Sequence, residues 1–249
     1  MIPLISSPVS ACYTFTMKAA AKGYFLREYG SWSVLIVSSL IGLGVSRAFQ
    51  WTVVPLFLAL CLMINSKQAF MKWLRKRDDR TPLLIFLGHL AAASAVLALV
   101  FRSDIIMLLP LLVFPAAYLA SNRLAGEHFV ITELLGFVLL SLSAVLVKFL
   151  LTGGLDVRLF LGVAFYFTAG VFKVKALLQK KVLYRVLAVL HVLLAVYVYH
   201  RMHIPEIILL PLAENIASVA GLYTVRLQTT GWIEVAKSLA VLALFIIYY

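Results

Sequence analysis

Nine apolar runs of membrane-spanning length, separated by short polar turns, organise this sequence. They lie at about Trp32–Ala48, Trp51–Ile64, Pro82–Phe101, Ile105–Ala120, Phe129–Leu151, Val157–Phe172, Val182–Tyr199, Pro205–Tyr223 and Trp232–Tyr249. Lipid offers no hydrogen-bond partners to a backbone, so spans of this kind must close their own hydrogen bonds as helices. Pro82 suits the first turn of the third run, and Thr152–Gly153–Gly154 ends the fifth. The pattern predicts an all-α polytopic membrane protein. Residues 1–30 would form a cytoplasmic tail with a short interfacial helix, and residues 31–249 one transmembrane domain. Met1–Thr16 lacks a basic stretch of the kind that opens a cleavable signal peptide, and Met17 reads like a second possible start.

Composition agrees with the pattern. Of the 249 residues 63% are hydrophobic and 13% charged, where soluble chains carry about 45–50% and about 25%. The net charge of +12 does not point to nucleic acid, because the cations collect at span ends instead of along a polar face. The loop Asn65–Arg80 and the patch Lys173–Arg185 are the densest. With the N-terminus inside, about seventeen of the 22 Lys and Arg residues fall on the cytoplasmic side, the excess that fixes orientation. Nine spans then put the C-terminus outside, in the plasma membrane. Cys12 and Cys61 have no metal-ligand spacing, and neither metal nor cofactor is expected.

Polar groups at bilayer depth are costly and need a reason. Glu214 and Asn215 follow Pro211 inside the eighth run, as a cavity lining or an interhelical bond. His89 and His191 sit alone in their runs and read as packing residues. A larger set gathers at the cytoplasmic ends: Arg27, Glu28, Asn65, Lys67, Arg123, Glu127, Glu133, Lys173, Lys175, Arg226 and Glu234. Arg123 and Glu127, four apart, would share a face of one helix. Lys173 and Lys175, two apart, would point different ways. Since topology alone asks only for cations, the mixture suggests a polar vestibule open to the cytoplasm.

Arg27–Glu28–Tyr29–Gly30–Ser31–Trp32 resembles the short basic-x-His-Gly-Ala-Trp signature that opens YwiC-like proteins, with tyrosine and serine at the histidine and alanine positions. Glu133–Leu134–Leu135–Gly136, Val174–Lys175 and Gly231–Trp232–Ile233–Glu234 are similar to that family as well. The nine-span plan also resembles UbiA-type intramembrane prenyltransferases. These hold magnesium and a prenyl diphosphate with Asp-rich motifs near the ends of helices two and six. Here Asn65 matches, but Ala69 and Trp73 stand where carboxylates belong, and FTAGVFKVKALL ends the sixth run without any.

The resemblance therefore implies a UbiA-like bundle without the usual metal mechanism. Lys67, Lys72, Lys173 and Lys175 could hold a phosphate as point charges instead. The expected partners are membrane lipids, with a prenyl phosphate or other anionic amphiphile as the ligand that is bound or transformed. Enzymatic activity stays open, and an enzyme of this plan would be an atypical prenyltransferase-like transferase. The alternative is a small secondary transporter working through Glu214. A structural subunit docking a partner on its basic loops is a third reading.

Overall fold

The computed structural model describes residue 26 and residues 28–75, 78–221 and 227–249. Arg27 and Arg226 lie outside these described residues. Within them the chain is helical, without strands. The helices are α1 (Tyr29–Ser46), α2 (Val53–Arg75), α3 (Thr81–Phe101), α4 (Ile105–Ala125), α5 (Val130–Thr152), α6 (Val157–Gln179), α7 (Val182–Arg201), α8 (Ala213–Gly221) and α9 (Leu227–Tyr248). All but α8 contain stretches long and apolar enough to cross a membrane. The protein is a polytopic, all-α membrane protein.

Three departures from the sequence pattern matter for the site. First, α2 runs on through Arg75, so Asn65, Lys67 and Lys72 stand on its last turns and not in a loop. Lysine, glutamine, alanine and leucine in that stretch are good helix formers, and nothing in it breaks the hydrogen-bond ladder. Likewise α6 continues to Gln179, placing Lys173 and Lys175 inside it. Second, α4 stops at Ala125 because Gly126 takes φ +86°, a conformation that glycine adopts freely. Glu127 therefore does not share a helix face with Arg123. Third, the eighth run is broken. Glu206–Leu212 is a 3-10 segment containing Pro211, and α8 begins only at Ala213. Proline has no N–H to give to the ladder. Pro110 sits in a similar 3-10 stretch, Leu109–Leu112, within α4.

Packing joins α1 to α5 and α6 to α5 and α7, with α9 against α1. The α1–α5 contact is close: a Cβ on Gly42 would strike the Ala144 carbonyl. Ser143 Oγ reaches the Leu35 carbonyl at 3.4 Å. Small residues bring membrane helices together in this way. One core contains Ile41, Ala144, Val163, Tyr199 and Phe245. A second, formed by Leu35, Leu56, Phe101 and Val147 with their neighbours, ties α1, α2, α3 and α5. Helix α3 packs chiefly on α2 and is otherwise largely exposed.

Candidate functional site

A cavity of about 540 Å³ lies among α1, α2, α3, α4 and α5. Its walls are apolar, with Leu60, Phe86, Leu97, Leu111, Phe137 and Leu146 among them. Charge is confined to one end, where Glu28, Lys67, Glu127, His128 and Glu133 line it. Membrane amphiphiles have this same division, an apolar body and a polar tip.

The charged end is assembled from distant parts of the chain. Lys67 Nζ lies 2.8 and 2.9 Å from the two Glu28 oxygens and 3.1 Å from Glu127 Oε1. Arg75, exposed, approaches the other Glu127 oxygen at 3.5 Å. Ser31 Oγ donates to Glu28 at 2.8 Å. Partial burial pushes the Glu28 carboxyl up, but the Lys67 hydrogen bond and charge, with Ser31, bring it below the usual carboxylate range. Glu133 receives Lys175 Nζ at 2.9 Å, and Lys175 also donates to the His128 carbonyl at 2.8 Å.

Asn65 does not line the cavity. Its Oδ1 accepts the Leu26 N–H at 2.9 Å, and Trp32 Nε1 donates to the Leu26 carbonyl at 3.0 Å. Together they fix Leu26 close to where Glu28 meets Lys67. Asn65 Nδ2 also lies 3.4 Å from His89 Nε2, whose Nδ1 meets the Ile85 carbonyl at 2.8 Å. Arg123 is exposed beyond this region, and Lys72 stands in the last turns of α2.

Lys173 belongs elsewhere. Its Nζ lies 2.8 and 2.6 Å from the Glu214 oxygens and 2.6 Å from Glu234 Oε1, with the side chain 1% exposed. Lys237 joins the same two carboxylates at 2.9 and 3.0 Å and bonds Asn215 Oδ1. Ser218 Oγ donates to Glu214 at 2.5 Å. These groups clasp α8 to α6 and α9 beside a second cavity of about 250 Å³.

So the four lysines expected to share one anion do not converge. Lys67 serves the large cavity, Lys175 binds behind its rim, and Lys173 closes a separate cluster. As the spacing implies, Lys173 and Lys175 point to different helices. Tyr118 and Thr132 line the cavity and carry no pattern in the sequence. Lys237 and Ser218 were legible in principle, three residues from Glu234 and four from Glu214, the spacing of helix neighbours. His191 is a packing residue, stacked on Phe165 at 5.6 Å and bonded to the Phe165 carbonyl and Thr168. Among the described residues no three His, Cys, Asp or Glu side chains gather as a metal would require.

A family model described as YwiC-like protein matches residues 26–148. No curated protein and no solved structure matches the chain. The matched segment runs from just before Glu28 to just after Leu146, and every residue lining the large cavity falls within it. The Lys173–Glu214–Glu234–Lys237 cluster falls wholly outside.

Proposed function

We propose that this protein binds, and in an enzymatic form would transform, a membrane amphiphile. An isoprenoid or other lipid chain would occupy the large cavity and its head would sit at the Glu28–Lys67–Glu127 end. The observation that carries the reading is the cavity itself: apolar walls from five helices and charge at one end only, the usual make-up of a ligand pocket. The family match covers the same stretch of chain. The excess of cations at span ends supports a charged mouth that faces the cytoplasm. An anionic head, the form suggested by the basic patches, would draw on Lys67 with Arg75 outside it. A UbiA-like transferase without Asp-rich motifs is the enzymatic version.

The test is mass spectrometry of lipids that co-purify in mild detergent, wild type beside Gly136→Leu. Gly136 lines the cavity with Tyr118 as its nearest neighbour, 3.5 Å from where a Cβ would stand. Leucine is also the better helix former, so the change fills space without weakening α5. Wild type should retain an enriched lipid that the variant loses. Equal lipid in both would end the reading.

A second reading is a small secondary transporter using Glu214. The helix break at Pro211 and the charge cluster at the start of α8 favour it, since transporters place ion sites at interrupted helices. Solute flux into liposomes that is abolished by Glu214→Gln would support it.

A further inference from the structure

The hydrogen bonds at the cavity mouth say what kind of head can bind there. An ammonium has three protons to give and no acceptor, whereas a carboxylate accepts about four hydrogen bonds and gives none. Lys67 Nζ has three carboxylate oxygens within 3.1 Å, which exhausts it. Ser31 donates to Glu28, and Ser66 donates to the Met63 carbonyl at 2.6 Å. These donors are therefore committed inside the chain.

The acceptors are not exhausted. Glu127 receives one contact on each oxygen, from Lys67 and Arg75. Glu133 receives Lys175 on Oε2, while the His128 ring stays 3.8 Å from Oε1. Glu28, 43% exposed, receives Lys67 and Ser31. Three carboxylates and one ammonium thus line the mouth, and the side chains of Glu28, Glu127 and Glu133 stay 43%, 19% and 28% exposed.

We infer that the head group recognised here is a hydrogen-bond donor, a primary ammonium of the kind that ends an aminophospholipid, and not a bare phosphate. The inference rests on the amphiphile reading and replaces its anionic head with one that ends in an ammonium. An ammonium beside Glu28, Glu127 and Glu133 completes acceptor capacity that Lys67, Arg75 and Lys175 leave unused. A phosphate would have to displace a carboxylate from Lys67 and would leave that carboxylate facing it.

The experiment is native mass spectrometry of the full chain in detergent. The added probes are dimyristoyl phosphatidylethanolamine, phosphatidylcholine and phosphatidylglycerol, which share tails and differ in head. Wild type should retain phosphatidylethanolamine about tenfold over either competitor, the scale of one charge-assisted hydrogen bond. Phosphatidylcholine controls for charge, since its quaternary nitrogen has no N–H. Glu127→Gln should reduce that preference and raise phosphatidylglycerol, because it removes one negative charge beside Lys67 while its amide oxygen can still accept. Glu28→Gln is the substitute if Glu127→Gln is not recovered folded, and the wild-type preference decides if neither is. Wild type favouring phosphatidylglycerol, or the three heads equally, overturns the inference. Gly136→Leu separates the two levels. Adducts lost in it but anionic in wild type defeat only the head assignment, whereas adducts unchanged in it defeat the cavity reading.

Discussion

Lys67 Nζ lies 2.8 Å from Glu28 Oε1, although 39 positions separate the two residues. The contact joins the end of α2 to the segment that enters α1 and sets the polar tip of an otherwise apolar cavity. Asn65, two residues earlier, fixes the same segment through the Leu26 N–H.

Removing Lys67 should therefore do more than remove a surface charge. Lys67→Ala leaves Glu28 with Ser31 alone and Glu127 with Arg75 alone, a loss of up to about 1 kcal/mol for a partly exposed ion pair. Lys67→Arg should recover much of it. Thermal unfolding in detergent, with retained lipid measured in parallel, checks both. A Lys67→Ala variant as stable as wild type would show that the pair is only a surface contact.

Lys173 is the more severe case. Its removal strands Glu214 and Glu234 against a buried Lys237. Breaking a buried charge network from one side costs about 3–5 kcal/mol. Lys173→Ala should lower the unfolding temperature and the folded yield far more than Lys180→Ala, at an exposed position just past α6. Comparable yields of the two variants would count against the cluster as the clasp of α8.

Two glycines should respond in opposite ways. Gly42→Ala drives a methyl into the Ala144 carbonyl and should destabilise by about 1–3 kcal/mol, as overpacking does. Gly88→Ala meets nothing within 4 Å and should be neutral or stabilising by up to about 1 kcal/mol through helix propensity. Unfolding midpoints of the pair test the close α1–α5 approach.

Asp156 makes a pH-dependent contribution at the opposite end of the bundle. Burial pushes its carboxyl up, but Lys148 at 2.5 Å, the Leu159 N–H at 3.0 Å and the Tyr249 hydroxyl bring it below its ordinary value. A folded-state value below the unfolded one means stability that is present above the unfolded value and lost as pH falls through the folded one. The window thus begins near pH 4 and extends downward. Asp156→Asn keeps a good cap but loses the charge pair with Lys148. It should cost up to about 1 kcal/mol at neutral pH, and its deficit relative to wild type should shrink below pH 4. A deficit independent of pH would assign the effect to packing.

Much of the architecture was legible because hydropathy is a local property. A run of about twenty apolar residues must become a helix wherever it sits in lipid, so eight of the nine runs and most of their turns follow from the sequence, while the eighth breaks at Pro211. Its errors were also local. The basic stretches after Ile64 and Phe172 read as loops because they are charged, yet their residues are good helix formers and α2 and α6 run through them. Gly126 ended α4 before Glu127, which cancelled the helix face assumed for Arg123 and Glu127.

By itself, then, the sequence determined that this is a polytopic helical membrane protein, where eight of its apolar helices fall, and that its charges gather at their ends. Only the tertiary structure decided which charges meet. Lys67, Lys173 and Lys175 look alike in sequence, each a lysine near the end of an apolar run. Which carboxylate neutralises each depends on which helices become neighbours, and that is set by packing over tens of residues, such as the approach of Gly42 to Ala144. The cavity likewise belongs to no segment, since it is the space left where five helices fail to fill one another's grooves.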